Sequence, residues 1–186
     1  MAGQVTSGKE YAAVDNRVLA ALVAAALLLS AAVCALHFVN AVGLRGTARM
    51  SDYAQTDAAA EGLIPLVEAV YEQDGILYVS GALMRPGQYV REVRVRVALL
   101  PMEGDAVTMT LLNTQMVRRY ELARDYGCDD HCGFHASALS KRLDEGSYAV
   151  ALADESDGTK RLIDTGARMT LGEGGALLSW SDGGGR

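Results

Sequence analysis

From Val18 to Val39 the chain carries no charged residue, and only Ser30 and His37 interrupt an apolar run. A stretch so uniformly apolar is not the surface helix of a soluble domain, which keeps one polar face. As a helix, its roughly 22 residues extend about 33 Å, enough to cross the hydrocarbon core of a bilayer. A helix also satisfies its own backbone hydrogen bonds, which lipid demands. Asp15 or Asn16 is placed to cap its start, and His37 falls where a polar tip reaches the interface. The competing reading is a cleaved signal peptide, with Val39-Asn40-Ala41 as a small-residue cleavage site. The run is longer than the roughly 7–15 apolar residues of a signal peptide. The expectation is therefore a retained single-pass transmembrane helix over 18–39, preceded by a short cytoplasmic N-terminus of residues 1–17.

Basic residues do not orient the helix. Lys9 and Arg17 precede it, and Arg45 and Arg49 follow it. By the positive-inside rule this is a tie, which the free N-terminal amine tips towards an inside N-terminus. Cysteine usage points the same way. Cys128 and Cys132 read as a local disulfide, which belongs to an oxidising compartment. The part after the helix is expected outside the cytoplasm.

Residues 40–62 read as a stem, either flexible or helical over the alanine-rich stretch from Ser51 to Glu61. After Gly62 the apolar period becomes two. Strands are expected over Pro65–Tyr71, Ile76–Met84, Ala106–Leu112, Met116–Leu122, Phe134–Leu139 and Tyr148–Ala153. Another begins at Val93, with Val93, Val95, Val97 and Leu99 inward and Arg94 and Arg96 outward. Lys160–Ile163 and Ala167–Leu171 are read as a closing pair. Asp74-Gly75 and Arg85-Pro86-Gly87 are turn chemistry, and Gly81 inside its strand predicts a bulge or a close backbone approach. About seven short strands over 63–172 predict an all-β sandwich. The glycine-rich tail, 173–186, is expected to be disordered, although Leu177, Leu178 and Trp180 lie within it.

One motif refines the fold. Leu143-Asp-Glu-Gly146-Ser-Tyr148 sets a tyrosine two residues after a glycine at the opening of a strand, and Val150 takes the inward position two residues on. In immunoglobulin-like sandwiches such a tyrosine closes a corner by bonding its hydroxyl back to the backbone. The stretch from Cys132 to Leu152 resembles the late strands of bacterial immunoglobulin-like surface domains, a generic likeness extending over about 100 residues. The resemblance implies an Ig-like or fibronectin-like sandwich and a surface location; it implies no activity. The chain departs from antibody-type domains in lacking the inter-sheet cysteine pair and the central tryptophan. The scarcity of lysine (Lys9, Lys141, Lys160) beside abundant arginine fits a GC-rich, bacterial coding genome.

The densest polar cluster is Cys128-Asp129-Asp130-His131-Cys132-Gly133-Phe134-His135. Besides a disulfide, Cys128, Cys132 and His131 or His135 offer a zinc set, but His37 and Cys34, the only other such residues, lie in the apolar run. No cofactor or metal is expected. Ser137 and Ser140 lie near these histidines in sequence without a spacing that aligns a nucleophile with a base, and no Gly-x-Ser-x-Gly elbow occurs. Asp154-Glu-Ser-Asp-Gly158 lacks the length and final glutamate of a calcium loop and reads as an exposed hairpin turn. Arg91, Arg94 and Arg96 are the candidate partner-binding residues, facing an anionic polymer or acidic neighbours.

The net charge of −6 argues against nucleic-acid binding, which needs a clustered basic surface. The function expected is that of a non-catalytic, membrane-anchored interaction module engaging an envelope component or a membrane-complex partner. A carbohydrate-binding surface domain is the alternative; it requires an aromatic platform, and aromatics are only 6% of the chain, without a cluster in sequence. A metal-dependent enzyme built on the loop from Cys128 to His135 is the third reading.

Overall fold

The computed structural model describes residues 16–38 and 46–183. The proposed cleavage site at 39–41 and the residues before Asn16 lie outside that range. The apolar run forms one helix, α1 (Asn16–Phe38), with none of its residues buried. Its 23 residues are long and apolar enough to cross a membrane. The helix is one compact unit and everything after it another.

The second unit is an all-β sandwich. Its strands are β1 (Gly46–Arg49), β2 (Ala54–Thr56), β3 (Ile64–Gln73), β4 (Ile76–Met84), β5 (Val95–Pro101), β6 (Thr108–Leu111), β7 (Asn113–Val117), β8 (Gly133–Leu139), β9 (Gly146–Asp154), β10 (Arg161–Leu171) and β11 (Leu177–Ser181). One sheet has the order β3-β4-β8-β7; the other runs β1-β6-β5-β9-β10-β11, with β2 also on β10. Lettering β3 to β10 as A, B, C, C′, D, E, F and G makes the first sheet ABED and sets C′CFG at the heart of the second, which is the immunoglobulin arrangement. Leu77, Val79 and Phe134 from one sheet meet Val97, Leu99, Val150, Leu152 and Ile163 from the other, all essentially without solvent exposure. The inward Val79 and Val150 lie where antibody domains place their cysteine pair, so apolar packing stands in place of that bridge.

The tyrosine corner is present. Tyr148 Oη donates to the Asp144 carbonyl at 2.9 Å, and Gly146 takes φ 141°, a conformation open to glycine. Tyr148→Phe keeps the buried ring and removes the bond. It is expected to cost about 1 kcal/mol in denaturant unfolding with an unchanged m-value.

Several boundaries differ from the sequence expectation. Within the expected stem, residues 46–56 are not a linker: β1 pairs antiparallel with β6, and β2 pairs parallel with β10. Between them Met50 and Tyr53 cover a second core, built from Ala98, Met109, Leu111, Ala151, Ala153 and Leu162 on the outer face of the larger sheet. Met116–Leu122 is not one strand, because β7 ends at Val117 and a short helix, α2 (Tyr120–Tyr126), begins three residues later. Lys160–Ile163 and Ala167–Leu171 do not pair with each other. They are the two halves of β10, both against β9, with a register shift between Asp164 and Arg168. The tail contributes β11 antiparallel to β10, and Trp180 packs against the main core.

The loop Asp154–Gly158 is not simply an exposed turn. Asp154 is 1% exposed and Ser156 5%. Arg85, itself buried, donates to Asp154 Oδ1 at 2.9 Å and to Ser156 Oγ at 3.2 Å. Asp157 accepts the backbone N–H groups of Arg91 and Glu92, latching the chain before β5 onto the same loop.

Candidate functional site

The hairpin β3–β4 turns on two residues, Asp74 (φ 53°) and Gly75 (φ 73°). Positive φ at both positions is the type I′ turn that fits the twist of its strands. The register it sets places Tyr71 opposite Tyr78. Both rings stand on the outer face of the four-stranded sheet, stacked with centroids 5.1 Å apart and planes 18° apart. Two parallel rows cross this face: Tyr71-Tyr78-Ser137-Asn113 and Ala69-Ser80-His135-Gln115.

The other half of the same face is roofed. Leu122 of α2 and Cys128 pack over Ala82, Met84 and Cys132. A strap separates the halves. Arg119 lies across Gly133 and donates to both oxygens of Glu68, at 2.7 and 2.8 Å, and to Glu121. A β-carbon at Gly133 would come within 2.5 Å of Arg119 Cγ, so only glycine lets the arginine lie flat. Glu68 owes its position to the bulge in β3 between Val67 and Ala69. A bulge adds one residue and redirects a side chain.

The guanidinium hydrogen bonds hold the Glu68 carboxyl below its ordinary value, against a smaller opposing effect of burial. A depressed folded-state value gives stability that is present above the unfolded value and lost as pH falls through the folded one. Thermal midpoints of the wild type are therefore expected to fall as pH drops through and below the ordinary carboxylate value near 4.5. Glu68→Gln, measured alongside, is expected to start lower and fall less steeply.

The residues singled out from the sequence are spread over the domain. Cys132 is buried and Cys128 half-buried, and both are thiols with no bond between them in the structure. Burial, with a smaller contribution from neighbouring Cys128, pushes the Cys132 thiol up to about 11. His135 stands on the open face, away from His131, so neither histidine completes a three-ligand set with the cysteines. Among the described residues the one grouping of possible ligand atoms is Asp129, Asp130 and His131. Its atoms are already engaged: Arg118 donates to His131 Nε2 at 3.0 Å, and Asp130 lies 3.1 Å from His131 Nδ1. Ser137 lies in the open rows, while Ser140 is buried beside the Gly75 turn.

The three arginines do not form one patch. Arg94 precedes β5 and pairs with Glu92 at the surface. Arg96 lies under the β1–β2 segment, bound to Glu155 at 2.6 Å. Tyr53 donates its hydroxyl to the same carboxylate. Burial of Glu155 alone would raise its value, but the hydrogen bonds from Tyr53 and Arg96 outweigh burial and lower it. Arg91 is tied through its backbone to Asp157.

A separate concavity lies elsewhere. An open cleft of about 870 Å³ runs between β3 at Leu63–Val67 and β10 at Asp164–Ala167. Its acidic residues are Asp182 and Asp164, the latter paired with Arg168.

Tyr71 and Tyr78 are the feature that sequence reading missed. The signal was present in Asp74-Gly75, since a two-residue turn fixes the register outward from itself. No family model matches the chain, and no curated protein or solved structure matches it.

Proposed function

We propose that the chain is a non-catalytic, membrane-anchored interaction module whose sandwich domain lies outside the cytoplasm and engages an envelope component or a membrane-complex partner. The observation that carries this reading is the pairing of a wholly exposed 23-residue helix, free of charge from Val18 onward, with an immunoglobulin-type sandwich. The helix supplies attachment, and the half-roofed outer face of the smaller sheet supplies a surface on which a partner can be held. In an oxidising compartment Cys128 and Cys132 form a disulfide that pins the end of α2 beside the sheet. In the chain-entropy model, so short a loop gains about 2 kcal/mol.

The test is cross-linking on intact cells through a C-terminally tagged chain, followed by mass spectrometry of the captured material and protease accessibility of the domain. A stoichiometric envelope or membrane partner and a protease-exposed domain are expected. A domain protected on the cytoplasmic side, or no partner of either kind, overturns the reading. Alkylation mapping before and after reduction reports on the cysteines: the pair is expected to be labelled only after reduction.

A further inference from the structure

We infer that the open half of the β3-β4-β8-β7 face binds an uncharged glycan, with the Tyr71–Tyr78 pair as its stacking element and Ser80, His135 and Gln115 as its hydrogen-bonding row. The inference rests on the interaction-module reading and names the chemical class of what is held.

Four observations converge on that class. The first is the aromatic pair. Tyr71 is 47% exposed although it is one of the large apolar-bodied side chains of a domain that buries most of them. A tyrosine ring offers an apolar face and a polar tip, and a sugar ring offers the complement, a C–H face rimmed with hydroxyls. The second is the chemistry beside the pair. Ser80, His135, Gln115 and Ser137 each carry donor or acceptor atoms, and they stand in register on adjacent strands. Strands lie about 4.8 Å apart and alternate residues about 6.8 Å apart along a strand, so these groups form a regular grid under the occupant.

Charge is the third. Neither row contains a carboxylate, ammonium or guanidinium group. Glu68 and Arg119, beside the second row, neutralise each other in the strap. An anionic polymer or a lipid headgroup finds no lysine or arginine in either row, His135 being the one basic side chain there, and a basic peptide finds no acid. A neutral polyhydroxylated chain is the occupant whose charge matches. The fourth is shape. The strap and the roof behind it, where Tyr120 is 63% exposed, form a wall along one side of the grid. The floor beyond it is open, as a site for an internal stretch of a long polymer requires.

The strap also fixes the floor. Arg119 ties β3 at Glu68 to the segment that enters α2, spanning β4 and β8 between them. Both tyrosine strands are thereby held in the geometry that stacks the rings. Glu68 and Arg119 are positioning residues in this scheme and touch no ligand.

The experiment uses the full chain in phosphatidylcholine nanodiscs, because glycoside detergents would compete. Retardation is measured by native affinity electrophoresis in gels containing a soluble neutral glucan, a mannan or an arabinogalactan, with polygalacturonate as the anionic control. Retardation by at least one neutral polymer and none by polygalacturonate is expected. Tyr71→Ala and Tyr78→Ala should each weaken retention at least tenfold, Tyr78→Phe should retain most of it, and Arg94→Ala should leave it unchanged. Thermal midpoints confirm that each variant is folded; if Tyr78→Ala is not, Gln115→Ala and Tyr71→Ala carry the comparison. No retardation by any neutral polymer, or retention indifferent to Tyr71 and Tyr78, overturns the inference. If the cell cross-linking meanwhile captures a protein partner, the interaction-module reading stands and the glycan assignment alone falls.

Discussion

Asp154→Ala is expected to destabilise the sandwich by about 3–5 kcal/mol, because it strands a buried guanidinium without its counter-ion. Asp154 sits at the end of β9 with 1% of its side chain exposed, and Arg85 is 7% exposed. Desolvating two ions costs free energy that their mutual attraction offsets only while both are present. The carboxylate also accepts the Ser156 N–H at 3.0 Å, and Ser156 Oγ in turn accepts from Arg85 and from the Arg94 N–H. One substitution thus unties the loop after β9 and the chain entering β5 together. Denaturant unfolding should show a lowered midpoint with an unchanged slope, and the thermal midpoint should fall by about 10 °C or more. Arg85→Met combined with Asp154→Leu removes both ions and is expected to recover most of the loss. A single variant within about 1 kcal/mol of wild type would mean that the Arg85 side chain reaches water when released.

The second large effect belongs to the centre of the smaller sheet. Phe134→Ala is expected to cost about 3–5 kcal/mol, combining lost transfer free energy with the cavity left behind. Phe134 is fully buried on β8, and its ring lies beneath Gly81 of β4. A β-carbon at Gly81 would come within 2.8 Å of Phe134 Cζ and within 1.9 Å of the Leu66 carbonyl oxygen. Gly81→Ala is therefore destabilising in its own right, by about 1–3 kcal/mol. The closer obstacle is backbone, so Phe134→Ala should not rescue Gly81→Ala. Chemical denaturation of the two single variants and the double variant decides this. Rescue would mean that ring contact, not the bulge in β3, reserves the position for glycine.

That glycine illustrates what a sequence displays and what it withholds. Gly81 within an alternating run announced a close approach, and the run from Ile76 to Met84 is bounded by turn chemistry at both ends, so β4 was legible to the residue. Tyr148 was equally plain, because its corner is local. The edge strands were hidden for the opposite reason. β1 and β2 have four and three residues, with no inward alternation, and they exist only because β6 and β10 stand beside them. The seven residues of α2 are too few for a helical period to show, and Met116 and Val117 just before them suggested that a strand continued. Gly127, left-handed at φ 61°, marks where that helix ends. The candidate site divides in the same way. Its tyrosines are separated by a recognisable turn, whereas the emptiness of its floor and the strap along its edge depend on strands brought together from distant parts of the chain.

The parallel pairing of β2 with β10 bears on the order in which the chain acquires its structure. Ala54 has no strand partner until Arg161 has been made, and the Tyr53 hydroxyl bonds a carboxylate 102 residues downstream. Non-local pairings of this kind slow folding, because loop entropy is lost before contacts return it. During synthesis, residues 50–56 are among the first of the domain to emerge and among the last to find their place, although β1 before them can pair with β6 sooner. Until they do, Ala98, Met109, Leu111 and Leu162 stay uncovered. The nascent domain therefore spends its early life with an adhesive face, in the interval when a chaperone or a neighbouring copy is best placed to reach it.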